Sequence, residues 1–284
     1  MEKIIGLGRT GCGVAEEFSR YPEYRIYKIA DPCTGDRANL DIEPAVDIEA
    51  YESAVDAVEI SAYLRSVKEG DEILFIVGGG DPASGMALAI LEQIRDANIS
   101  VLYIAPDRQV ANTTQKRDDK IVFNILQQYT RSGMFERMFL VDRATVEEVV
   151  GDVSIKEYDK SIYNFIASTV AMVNYYDHTD PVLSNKVPPA DISRIGTFGI
   201  SSLEPDADIK YLFPLKGEQD AHHYYGIPHD ELEENSSLMR EIKTQTKKFT
   251  KEGVNTSFSV YSTTFDTTMV LLTFFSKDIQ VLIK

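Results

Sequence analysis

Three consecutive glycines, Gly78-Gly79-Gly80, stand between the apolar run Ile73-Leu74-Phe75-Ile76-Val77 and the turn Asp81-Pro82-Ala83-Ser84-Gly85, after which Met86 to Ala97 is patterned as a helix. A strand, a loop without Cβ atoms and a helix N-terminus together favour an anion, because backbone amides converge there and the helix dipole is positive. Phosphate binding by Gly78, Gly79, Gly80, Ser84 and Gly85 is the chemistry to expect. A plain tight turn is the alternative, for which one or two glycines would serve. A second junction of this kind opens the chain: the strand Lys3 to Leu7 runs into Gly6-Leu7-Gly8-Arg9-Thr10-Gly11-Cys12-Gly13, ahead of a helical stretch from Val14 to Ser19. The spacing Gly6, Gly8, Gly11 after a strand and before a helix matches the dinucleotide fingerprint. The next strand, Tyr24 to Ala30, ends at Asp31, where a ribose-binding carboxylate would lie. One reading is therefore an NAD-dependent oxidoreductase, and the other takes Asp31-Pro32 as an ordinary turn.

The elements that position these glycines alternate in type. Ile48 to Val67 reads as one amphipathic helix closing at Gly70, and the triple-glycine strand follows. Then come a helix (Met86 to Ala97), a strand (Ile99 to Ala105), a polar loop through Pro106 to Thr114 and a helix from Gln115 to Ser132. A strand (Glu136 to Val141) and a short helix (Thr145 to Val150) complete the series. This order predicts a doubly wound α/β domain with a parallel sheet, in which both glycine junctions share one carboxyl edge and face one ligand. A nucleotide held from two sides explains both junctions, whereas a redox dinucleotide needs only the first. Pro32 to Pro44, with Thr34, Gly35, Asp36 and Asn39, reads as an exposed loop beside the first junction.

Ser154 to Tyr176 lacks glycine and proline and reads as a long central helix, ending at Asp177 to Pro181. The stiff polar stretch Ser184-Asn185-Lys186-Val187-Pro188-Pro189-Ala190-Asp191 then marks a boundary. Beyond it the pattern predicts strands Ile195 to Ser201 and Ile209 to Leu215, a helix over Glu231 to Lys251, strands Thr256 to Thr263 and Met269 to Phe275, and a last strand Ile279 to Ile283. The expected organisation is a nucleotide-binding domain over 1–153, a central helix and exit over 154–183, and a smaller α+β domain over 184–284. His222, His223 and His229 invite a metal reading, but adjacent histidines on an extended segment point apart and no carboxylate spacing supports them, so no metal ligands are assigned.

At 284 residues with 43% hydrophobic content, the chain can bury full cores. Its net charge of -16 opposes direct nucleic-acid binding. No apolar run reaches the roughly 20 residues of a membrane span, and Met1-Glu2-Lys3 leads straight into a strand, so a cytoplasmic protein is expected. Cys12 and Cys33 read as free thiols.

The order of these parts resembles the tubulin and FtsZ family over nearly the whole chain. Gly78-Gly79-Gly80-Asp81-Pro82-Ala83-Ser84-Gly85 is similar to the family's Gly-Gly-Gly-Thr-Gly-Ser/Thr-Gly loop, with one residue added and the threonine absent. Gly6 to Gly13 is similar to its first phosphate loop, which brings in Gly6, Gly8, Arg9, Thr10, Gly11 and Cys12 as ligand contacts. Leu140-Val141-Asp142-Arg143 resembles the point after the fifth strand where FtsZ has Pro-Asn-Asp, which assigns Asp142. The helix carrying Tyr158, Tyr163 and Asn164 is similar to the one that contacts guanine. There Asn164 would offer its amide to the base edge and a tyrosine, Tyr163 among them, would stack on its face; core packing is the other reading of the tyrosines.

The resemblance implies GTP or GDP as ligand, with Mg²⁺ as a companion, and a head-to-tail homopolymer as the assembly, leaving room for an adaptor protein. It also implies hydrolysis across a subunit contact through a loop of pattern Asn-x-Asp-x-x-Asp. Here Lys186-Val187-Pro188-Pro189-Ala190-Asp191 keeps only the final carboxylate, so Asp191 is the one candidate catalytic residue and the depleted loop counts against turnover. Asp81-Pro82 departs too, since a carboxylate repels phosphate and proline removes a donor. The chain stops directly after its last expected strand, as in a divergent phage- or plasmid-type tubulin. A third reading is a tubulin-like structural protein that has lost its nucleotide.

Overall fold

The computed structural model describes residues 2–31 and 40–282. The stretch around Cys33, Thr34, Gly35, Asp36 and Asn39 lies outside them. The chain forms two compact units, one running up to Ser168 and resuming at Ile279, the other Thr169–Asp278. The division falls inside the long helix.

In unit 1 the strands are β1 (Lys3–Leu7), β2 (Arg25–Ala30), β3 (Leu40–Asp41), β4 (Glu72–Gly78), β5 (Asn98–Ala105) and β6 (Arg137–Asp142). They pair in the order β3-β2-β1-β4-β5-β6, and every pair is parallel. Ile73 through Val77 of β4 are all 0% exposed, which is why that strand is a continuous apolar run instead of an alternating one. The strand order reverses between β1 and β4, so the carboxyl ends of these two neighbours make the switch point where such sheets take ligands.

The helices of unit 1 are α1 (Gly8–Glu17), α2 (Ile48–Ser53), α3 (Ala57–Tyr63), α4 (Ala87–Glu92), α5 (Thr113–Arg131), α6 (Arg143–Val150) and the start of α7 (Tyr158–Asp177). Two differ from the sequence pattern for local reasons. The expected helix over 48–67 is broken in two because Asp56 caps a fresh start, accepting from Val58 and Glu59 amides at 2.9 and 3.0 Å. The expected helix over Met86 to Ala97 is a 3-10 turn at Pro82–Met86 followed by the short α4. By contrast α5 begins where its capping box, Asn112 with Gln115, sets it, and α7 starts at Tyr158, four residues later than its pattern suggests.

Unit 2 has β7 (Leu183–Ser184), β8 (Ile195–Ser201), β9 (Lys210–Tyr211), β10 (Glu218–Pro228), β11 (Asn255–Thr263) and β12 (Met269–Ser276), with α8 (His229–Glu234) and α9 (Leu238–Phe249). Its sheet runs β8-β12-β10-β11-β7, with β9 on β8. The strand β10 is central, parallel to β11 and antiparallel to β12, and the sequence pattern does not show it. Three further expectations are corrected. The strand expected over Ile209 to Leu215 shrinks to Lys210–Tyr211, the helix over Glu231 to Lys251 is two helices, and residues 279–282 are not a strand. The core is aromatic: Tyr176 stacks on Tyr261 with ring centroids 4.4 Å apart, and Tyr225, Phe198 and Phe274 are buried in the same unit.

Candidate functional site

A cleft of about 600 Å³ opens at the switch point of unit 1. Its walls come from the carboxyl ends of the strands: Asp31 after β2, Gly79 and Gly80 after β4, Ala105 and Asp107 after β5, and Arg143 after β6. Arg9 and Thr10 of α1 and Tyr158, Asp159 and Tyr163 of α7 close it. Its volume lies within the range of small-molecule sites.

The first glycine junction is not a loop. β1 passes directly into α1 at Gly8, so Gly8, Gly11 and Gly13 lie within the helix. Several of these glycines answer packing needs. A Cβ on Gly6 would strike the Gly11 carbonyl, one on Gly11 would strike the Ile76 carbonyl of β4, and one on Gly13 would strike the ring of Tyr163. Helix and sheet meet closely enough that a side chain does not fit. The Cys12 thiol points inward, donating to the Gly6 and Ile29 carbonyls at 3.3 and 3.4 Å, and burial pushes its pKa up to about 12. That thiol is inert at neutral pH.

The triple glycine is likewise fixed from inside. Gly78 packs on Thr10, and a Cβ at Gly79 would land on the Asp119 carboxylate and the Tyr103 hydroxyl. The Gly79 amide continues the sheet, donating to the Ile104 carbonyl at 2.8 Å, so that amide is not turned to the cleft. Gly80 has φ +72, a conformation glycine adopts without strain. Behind the loop Asp119 is fully buried; its carboxylate accepts from the Tyr103 hydroxyl at 2.7 Å and pairs with the Arg108 guanidinium. Burial raises its pKa to about 6 despite these partners.

Asp81 ties the two glycine junctions together. Its carboxylate accepts from the Arg9 amide at 2.7 Å, at the N-terminus of α1, and from the Ala83 amide at 3.1 Å, capping the 3-10 turn. Burial lifts its pKa above the ordinary carboxylate range. On the opposite wall Asp159 bridges two guanidiniums, Arg9 at 3.2 Å and Arg143, and Arg143 lies over the rings of Tyr158 and Tyr163 at 5.2 and 5.7 Å. A planar ring system can stack on that wall. The sequence pattern does not single out Asp159 or Arg143; their signal is position, at a helix start and directly after a strand.

The remaining sequence candidates, Asp31 of the cleft wall apart, fall elsewhere. Gly85 packs on the Ile48 carbonyl, and Ser84 is buried with its hydroxyl unpaired among the described residues. Asp142 caps α6 through the Ala144 amide at 2.9 Å. Asn164 is not among the cleft's lining residues and accepts from Arg20 at 2.5 Å. Asp31 accepts from the Tyr51 hydroxyl at 2.6 Å. Asp191 is an exposed turn residue of unit 2. His222 and His223 sit buried on β10, while His229 is exposed at the start of α8. No cluster of three or more His, Cys, Asp or Glu suited to a metal ion occurs among the described residues.

No protein-family model and no curated protein matches the sequence. Solved structures do match. An empty FtsZ dimer from M. jannaschii aligns with a TM-score of 0.70 at 15% identity, covering 96% of this chain and 87% of that one. TubZ of Bacillus thuringiensis serovar israelensis, in GDP-form protofilaments, aligns with a TM-score of 0.70 at 12% identity, covering 98% and 87%. CetZ1 from Haloferax volcanii, a GDP-bound monomer, gives 0.69 at 14% identity, covering 98% and 94%.

Proposed function

The chain has the tubulin/FtsZ fold, and from that premise we propose that it is a filament-forming protein whose switch-point cleft takes a guanine nucleotide. The observation that carries the reading is the joint one of a cleft at the β1/β4 carboxyl edge and a stacking wall of Arg143, Tyr158 and Tyr163 across from it. Arg143, Tyr158 and Tyr163 would hold the base, and Arg9, Thr10 and Gly80 would lie toward the phosphates. Mg²⁺ carried in with the nucleotide would offset the repulsion between its phosphates and the cleft's own carboxylates. The assembly is a head-to-tail homopolymer, because a heterologous contact that does not close makes a filament. Within it Asp191 is the residue assigned to hydrolysis, and with Lys186 and Pro188 in the neighbouring polar positions of its loop turnover is slow.

The test is thermal unfolding with magnesium and, in separate wells, GTP, GDP, ATP, NAD and NADP. A ligand at about 100 times its dissociation constant adds roughly 2.7 kcal/mol. Stabilisation by GTP or GDP alone supports the reading, and sedimentation with GTP then checks for filaments. Stabilisation by NAD alone would replace it with the oxidoreductase reading, for which Asp31 is already engaged by Tyr51. One observation favours a second reading, a tubulin-like structural protein without nucleotide: the Asp81 carboxylate at the N-terminus of α1. Filaments that form equally with and without nucleotide would select it.

A further inference from the structure

The first amides of a helix point along its axis unpaired, and together with the helix dipole they draw an anion. In α1 the Arg9 amide is already satisfied, by Asp81 Oδ2 at 2.7 Å. The carboxylate lies so close over Gly8 that a Cβ at that position would fall on its oxygens, and Gly8 holds φ +68, which aims the helix start at Asp81. The second carboxylate oxygen is tied to Ala83, so Asp81 links the two glycine junctions, 72 residues apart, through one charged group. Both Arg9 and Asp81 line the cleft.

We propose that Asp81 is a built-in anion that occupies the α1 N-terminus in place of nucleotide phosphate, so that nucleotide enters only by displacing it. The proposal rests on the nucleotide reading of the cleft. It makes Asp81 a determinant of specificity: a nucleotide gains from the Arg9 amide only after the Arg9–Asp81 bond is given up, and phosphate left beside the displaced carboxylate is repelled. The charged neighbours add to the effect, since Asp31 and Asp107 also line the cleft while Arg9 and Arg143 are both engaged by Asp159.

The experiment is equilibrium titration of the full chain with GDP and with GTP plus magnesium, comparing the wild type, Asp81→Asn and Asp81→Ala, all stripped of nucleotide beforehand. Asp81→Asn keeps the shape and an acceptor oxygen without the charge; Asp81→Ala frees the Arg9 amide. Binding tightens about tenfold in Asp81→Asn and further in Asp81→Ala. Without nucleotide, Asp81→Ala unfolds at a lower temperature because the helix start loses its anion. If the alanine variant fails to fold, the asparagine variant alone decides. Equal affinity in the wild type and the variants overturns the proposal and leaves the nucleotide reading standing. Weaker binding by the variants also overturns it, making Asp81 a partner of the nucleotide or its magnesium. No binding by any of the three proteins overturns the proposal and the nucleotide reading together.

Discussion

In unit 1 the buried carboxylate of Asp119 is held by the Tyr103 hydroxyl and the Arg108 guanidinium, whereas in unit 2 the ring of His223 is sealed beside Tyr225 and Phe249 with both nitrogens unpaired among the described residues. Both groups are 0% exposed. Burial disfavours the charged form of each, raising Asp119 to about 6 and lowering His223 to about 4. His222, on the same strand, falls to about 3, through burial first and the charge of Lys186 next. The partnered carboxylate sits behind the glycine loop of the cleft, and the unpartnered ring of His223 belongs to a sheet core, where its neighbour His222 still meets the Ser257 hydroxyl at 2.7 Å. A buried ionisable group with partners marks a place where the chain specifies geometry; one without them is a neutral filler.

The contrast breaks most easily at Arg108. Arg108→Ala leaves the Asp119 carboxylate buried with one polar partner fewer and costs about 3 to 5 kcal/mol, read as a lower urea midpoint at pH 7. The two groups also have opposite pH signatures. His223 binds a proton in the unfolded chain near 6.5 but only near 4 when folded, so its stabilising share is complete above 6.5 and is lost as pH falls toward 4. Asp119 runs the other way, favouring the folded state as pH falls from about 6 toward 3.8. His223→Phe should therefore flatten the acid-side loss of stability by about 3 kcal/mol at pH 4, checked by denaturation at pH 7 and pH 4. An unchanged pH slope would show that the ring is reached by water.

Smaller effects sharpen the comparison at the glycines. Gly79→Ala must displace the Asp119–Tyr103 pair and should cost about 1 to 3 kcal/mol in thermal or chemical unfolding. Gly70→Ala meets nothing within 4 Å and carries only the strain of φ +77, about 1 kcal/mol or less. Equal losses at the two positions would mean that the network behind Gly79 yields freely.

The parts of the fold that could be read in advance were those whose pattern is set locally. Ile73 to Val77 is apolar on both faces because β4 lies inside a covered parallel sheet, and α5 follows its own periodic pattern closely, with the Asn112/Gln115 box fixing its start slightly before that pattern. The strand β10 could not be read in this way. Its residues Asp220, His222 and His223 look polar, and only pairing with β11 and β12 makes them interior. The glycine junctions do lie at the carboxyl ends of β1 and β4, as their spacing predicts, yet Gly6, Gly11, Gly13 and Gly79 are glycines because of what packs against them. The Asp81 carboxylate stands out beside the triple glycine in the sequence, but its bond to Arg9 depends on a juxtaposition that only folding creates.

The bond between α5 and the returning chain has a bearing on vectorial synthesis. Gln127 is fully buried, and its side chain is satisfied by the backbone of Gln280, donating to the carbonyl at 3.2 Å and accepting from the amide at 2.7 Å. Those partners lie 153 residues further along the chain. A nascent unit 1 leaving the ribosome therefore holds an unanswered amide in its interior until all of unit 2 has been translated, and an unmet buried amide costs about 1 to 3 kcal/mol. Unit 2 is in effect an insertion that delays the closing of its host. The clasp at Gln280 is thus a late checkpoint, made only once the intervening domain has been synthesised.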